Sequence, residues 1–109
     1  MRMMMHVTIP VESGNAAART GTLGSTIQKV LESIKPECAY FTATESGERG
    51  GFIVFDLKDA SDIPTIAEPL FLAFNAKIVL WPVMTPQDLA KAAPGIEKAV
   101  KEYGRAASA

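Results

Sequence analysis

His6 is the only histidine in the 109 residues and Cys38 the only cysteine. A lone imidazole cannot share a metal with a second one, and a lone thiol cannot close an internal disulfide. His6 can move a proton or donate a hydrogen bond, because imidazole ordinarily titrates near neutral pH. Its plainer role is a hydrogen-bonded or half-exposed strand residue. Asp56 is the acid that would work with it; otherwise it caps a loop or pairs with Lys58 or Arg49. Tyr40 and Trp81 set a polar atom on an aromatic body, which suits a pocket wall, a core or an interface. Nothing basic adjoins Cys38, so it reads as a small hydrophobe. Met1, Met3, Met4 and Met5 are flexible packing residues. The sequence GERGG is a hairpin and not a phosphate loop, and no nucleophile motif is present.

Composition narrows the classes. Apolar residues make up 48% and charged residues 21%, with a net charge of -1. No basic face is available for nucleic acid. No apolar run reaches the roughly 20 residues of a membrane span. The N-terminal MRMMMHVTIP has one arginine and is interrupted by His6 and Thr8, so it reads as a strand and not a signal peptide. These features point to one domain in a reduced, cytoplasmic setting, with no metal or cofactor.

The elements that must position these side chains follow from periodicity. Residues 3–9 alternate, with Met3, Met5, Val7 and Ile9 forming one clean apolar face. Pro10 ends that strand, and Ser13-Gly14-Asn15 reads as a turn. Leu23, Ile27, Val30, Leu31 and Ile34 form the stripe of a helix over 22–34, stopped by Pro36. Residues 38–44 form a second strand. After a hairpin at 46–50, residues 51–57 form a third strand whose Phe52, Ile53, Val54 and Phe55 leave neither face polar. A helix opens at 61–67, and Pro69 is expected to break it before a short piece ending near Phe74, with Asn75 as a left-handed stop. Residues 77–83 form a fourth strand, which Pro82 confines to a sheet edge. Thr85-Pro86-Gln87-Asp88 starts a last helix carrying Leu89, Ile96, Val100 and Tyr103; Pro94-Gly95 interrupts it and Gly104 ends it before a frayed tail.

Strand, helix, strand, strand, helix, strand is the split βαβ, ferredoxin-like order, over a core of 3–83 with a helical extension at 85–104. Right-handed crossovers put the first and third strands in the centre and both helices on one face. The other face then carries too much apolar surface for a monomer, and a second copy packing sheet against sheet would cover it. Alternatively, the C-terminal helix folds under that face.

This βαββαβ order, the GGFIVFDLKDASDI strand-to-helix passage and the trailing helix resemble the dimeric α/β-barrel superfamily, and within it small bacterial proteins of about this length with domains of unknown function. The resemblance implies a homodimer. It implies either a ligand-binding domain or one of the superfamily's activities, which include cofactor-free monooxygenases, lactone isomerases and haem-degrading enzymes. A purely structural, subunit-forming module is a further reading. Haem-degrading members use an Asn, Trp and His set. Asn15, Asn75, Trp81 and His6 are present here, but their order and placement differ and those roles are not carried over.

Alternation completes the expected site. If the clean apolar sets face the helices, then Met4, His6, Thr8, Tyr40, Thr42, Val79 and Trp81 share the opposite face. Phe52, Val54 and Asp56 are assigned to the same face. The expected site therefore has His6 and Asp56 as catalytic candidates. Met4, Thr8, Tyr40, Thr42, Phe52 and Trp81 line a cavity for a small apolar or aromatic molecule.

Overall fold

A computed structural model describes residues 1–104. The expected frayed tail at 105–109 lies outside the described residues. Four strands form one antiparallel sheet: β1 Arg2–Ile9, β2 Cys38–Ala43, β3 Arg49–Asp56 and β4 Lys77–Pro82, in the order β2-β3-β1-β4. Three helices, α1 Val11–Arg19, α2 Leu23–Ile34 and α3 Ile63–Phe74, cover one face. Two more, α4 Pro86–Lys91 and α5 Ala93–Tyr103, follow β4. The fold is ferredoxin-like α+β.

Alternation in β1 sets the layers. Met3, Met5, Val7 and Ile9 are buried against the helices, while Met4, His6 and Thr8 are half-covered on the other side. The same core takes Ile53 and Phe55 from β3, Val30 from α2, and Ala67, Leu70 and Phe74 from α3. Pairing of Met5 with Ile53 on one side and Leu80 on the other keeps this apolar row continuous across the sheet. Leu23, Ile27, Leu31 and Ile34 rest on its rim, as an amphipathic stripe should. Lys35 closes α2 in the left-handed region at φ 53°, its N–H donating to Leu31 O, and Pro36 prevents continuation.

Three local expectations need correction. First, Ser13-Gly14-Asn15 is not a turn but the middle of α1. Pro10 enters the helix at φ -54°, and its carbonyl accepts the first helical bond from Gly14 N. Glycine is unfavourable in a helix; a Cβ on Gly14 would stand 2.7 Å from the movable Nη1 of Arg49 and 3.3 Å from Ile9 Cγ2, so α1 lies close against the sheet there. Second, Pro69 does not break α3, which runs unbroken from Ile63 to Phe74. An interior proline costs about 3 kcal/mol. Burial of Leu70 and Phe74, together with Ala67, offsets that at roughly 1.5–3 kcal/mol for each large side chain. Third, the C-terminal break falls at Ala92, before Pro94-Gly95, so Pro94 sits in the first turn of α5 and Gly95 within it. A proline lacks only an N–H that the first turn leaves unpaired in any case.

The C-terminal helices do not fold under the sheet. Every residue of α5 is exposed, and its substantial neighbour is α4. The radius of gyration is 18.7 Å, against about 13 Å for a compact chain of this length, with extents of 63 × 29 × 21 Å.

Candidate functional site

The face of the sheet away from the helices is open, and strand register arranges it in rows. One row reads Tyr40, Phe52, His6, Val79 across β2, β3, β1 and β4. The next reads Cys38, Val54, Met4, Trp81, and on the other side lies Thr42, Gly50, Thr8, Lys77. Tyr40 is 69% exposed, Val79 53% and Trp81 37%, so this face shows aromatic and aliphatic surface.

His6 lies at the centre. Its ring stacks on Phe52 with centroids 4.4 Å apart and planes 4° from parallel. The pair is directly opposite across β1 and β3, where neighbouring side chains stand close enough for aromatic contact. A depression of about 470 Å³ opens beside the stack, walled by His6, Thr8, Thr42 and Phe52 and rimmed by the β2–β3 loop at Ala43, Thr44, Glu45 and Ser46. Gly50 leaves room for Thr44 on its rim. A Cβ there would meet Thr44 Cγ2 at 2.5 Å and Val7 O at 2.8 Å, and would point towards His6 Nε2 at 3.9 Å.

The rim is held by its own hydrogen bonds. Thr44 Oγ1 donates to Ser46 Oγ at 2.9 Å, Ser46 Oγ donates to Glu48 Oε1 at 2.7 Å, and Glu48 N donates to Thr44 Oγ1 at 3.3 Å. Gly47 makes the reversal at φ 76°. Thr42 Oγ1 donates to Ala43 O, and no hydrogen bond among the described residues reaches the His6 ring. The imidazole edge is therefore available to a molecule entering the depression.

The structure brings His6, Thr8, Thr42 and Phe52 together. Tyr40 extends the His6 row on the β2 side, beyond the depression. Met4 and Trp81 are paired in the neighbouring row, also outside it. Asp56 is farther away. It pairs with Arg2, four residues along the strand from Phe52, or about 13 Å at the usual strand rise. Its carboxylate accepts from the α-amino group of Met1 at 2.9 Å and from Lys58 Nζ at 3.0 Å. Those contacts, the α-amino hydrogen bond first, hold its pKa below the ordinary carboxylate value.

Sequence reading missed Gly50 and the loop residues Thr44, Glu45 and Ser46. The signal was a glycine pair within a strand pattern, which marks close approach of backbone or ligand. Gly51 serves the opposite face, where a Cβ would stand 2.8 Å from Phe41 Cδ1. Among the described residues no cluster of His, Cys, Asp and Glu could hold a metal ion, and no helix is long and apolar enough to cross a membrane.

No family model matches the sequence, and no curated protein matches it. Among solved structures the chain is similar to 5-chloro-2-hydroxyhydroquinone dehydrochlorinase from Burkholderia phenoliruptrix, in complex with 2,5-dihydroxybenzoquinone. The TM-score is 0.60 at 12% identity, over 81% of this chain and 98% of that one. A formyltetrahydrofolate deformylase from Pseudomonas putida gives a TM-score of 0.48 at 13% identity, over 76% of this chain and 29% of that one. The first likeness shows a shared ferredoxin-like fold.

Proposed function

We propose that the chain is a homodimeric small-molecule-binding domain whose open sheet faces pack together and enclose a planar aromatic or quinone-like ligand beside His6. The observation that carries this reading is the His6–Phe52 stack at the edge of a depression walled by Thr8 and Thr42. A flat π surface with a free imidazole edge suits a ring bearing hydroxyl or carbonyl groups: the ring extends the stack and the polar group bonds to the imidazole. The exposed Tyr40, Val79 and Trp81 support coverage by a second copy, because soluble chains rarely leave such a patch wet. The similar dehydrochlorinase holds a dihydroxybenzoquinone on the same fold, which makes that compound a reasonable first probe.

A second reading is an enzyme without a cofactor, such as a monooxygenase or isomerase, in which the His6 imidazole takes a proton from a bound hydroxyl. The free imidazole edge favours it. In this reading Asp56 would act from a distance, and Glu45 on the rim is an acid closer to the bound ring. Both readings place the ligand at His6.

The test exploits the single histidine. Titration with 2,5-dihydroxybenzoquinone, followed through the His6 imidazole NMR signals, should give a saturable shift. His6→Ala should weaken binding measured by calorimetry about tenfold, the loss of one hydrogen bond to a ligand. Absence of a His6 shift at millimolar probe would overturn this choice of ligand class. Turnover of the probe or of a chlorinated analogue, lost in His6→Ala, would favour the enzyme reading.

A further inference from the structure

Two surfaces of this chain lack the partner that their chemistry requires. The first is α5. Ile96, Val100 and Tyr103 fall at spacings of four and three and form one apolar stripe, each more than half exposed. Glu97, Lys98, Lys101 and Glu102 occupy the other side, where Lys98 and Glu102 approach to 3.9 Å. An 11-residue helix is shorter than an isolated helix needs to be stable in water, so α5 depends on a tertiary contact that its own chain does not supply. The second surface is an apolar groove of about 200 Å³ in the helix layer, between α2 and the inner face of β2. Ile27, Leu31, Phe41 and Leu70 line it, and Phe41, on the edge strand β2, is 55% exposed.

We propose that α5 of each chain docks in the α2–β2 groove of a second copy, completing its helix layer by exchange of the C-terminal arm. The course of the arm supplies the reason for exchange. The arm leaves from β4, at one edge, whereas the groove lies over β2 at the other, three strand spacings or about 14 Å away across the sheet. The capping box at Thr85 and Asp88 fixes the start of α4, and from there the arm lengthens the molecule to 63 Å instead of returning over its own sheet. The open groove needs an apolar filling and the uncovered helix needs an apolar seat, so one exchange satisfies both in each copy. This contact uses the helix layer and does not depend on the open sheet faces meeting.

Two chains test it, both carrying Cys38→Ser: one with Phe41→Cys and an added tag, the other with Val100→Cys. Mixed and treated with a short bismaleimide, they should give a cross-linked product of one tagged and one untagged chain. A chain carrying both cysteines that instead cross-links within itself would overturn the proposal. So would a mixture that sediments as a dimer without forming the mixed product; sheet-to-sheet packing would then stand without the arm. Hydrogen exchange supplies a readout free of cysteine substitution. Amides of 96–103 should be protected in the wild-type chain, and protection should be lost in Ile96→Glu/Val100→Glu, whose altered residues take no part in the core. Unprotected amides in the wild type would count equally against docking.

Discussion

Single residues divide sharply by what surrounds them, and the glycines show it. Gly50→Ala forces a Cβ to within 2.5 Å of the Thr44 methyl and 2.8 Å of the Val7 carbonyl, the latter being backbone and unable to swing away. It should lower stability by about 1–3 kcal/mol, the usual range for overpacking, seen as a reduced urea midpoint. Gly24, in the first turn of α2, has nothing within 4 Å of a Cβ. Gly24→Ala should raise the midpoint, by up to about 1 kcal/mol from helix propensity and a less flexible unfolded chain. Equal effects of the two changes would contradict the close approach of Thr44 and Val7 to Gly50. His6 was legible in the sequence as the lone imidazole on an alternating strand. The role of Gly50 was not, because a glycine beside a hairpin reads first as turn chemistry, and only the approach of Thr44 shows what its missing side chain makes room for.

Elements were legible where period and burial agree. The four strands and α2 could be read from alternation and a stripe, because each has one face against the core. α1 was hidden by Ser13-Gly14-Asn15, where local preference says turn and the contact of Arg49 with Asn15, Nη1 donating to Oδ1 at 3.0 Å, says helix. In α3 the same conflict arises at Pro69. Pro69→Ala restores a backbone donor without touching the buried Ala67, Leu70 and Phe74, and should stabilise the fold by about 1–2 kcal/mol in thermal or urea unfolding. Destabilisation would show that the core requires the proline's geometry. The start of α4 should respond to acid. Asp88 accepts from Thr85 N at 3.0 Å, and this backbone hydrogen bond, more than any other cause, lowers its pKa. A lowered folded-state pKa stabilises the fold above the unfolded value near 3.9 and is lost as pH falls through the folded value. Amide protection in α4 should therefore hold at neutral pH and fall below about pH 4. Asp88→Asn should weaken the cap at neutral pH and flatten that dependence.

The whole molecule has a complete core and an incomplete surface. Phe55 and Phe74 are at most 1% exposed and hold the sheet to its helices, whereas the open face carries Tyr40, Val79 and Trp81 in the company of His6. A second copy over that face should double the mass from 11.7 kDa, with an interface above roughly 1,000 Å². The fold reached the reader of the sequence because burial on one side of each strand leaves a periodic trace. What covers the other side leaves only the absence of polar residues, and that absence does not say which surface meets it. Trp81 is the only tryptophan and sits on the open face, paired with Met4, at 37% exposure in the single chain. Its accessibility to acrylamide, followed by fluorescence over a dilution series whose mass is tracked by sedimentation, reports directly on that face. Trp81 should be shielded and blue-shifted where the mass is twice 11.7 kDa, and should become quenchable as the dimer dissociates. A Trp81 equally quenchable at both ends of the series, or a chain monomeric throughout, would contradict the claim that two sheet faces enclose the site.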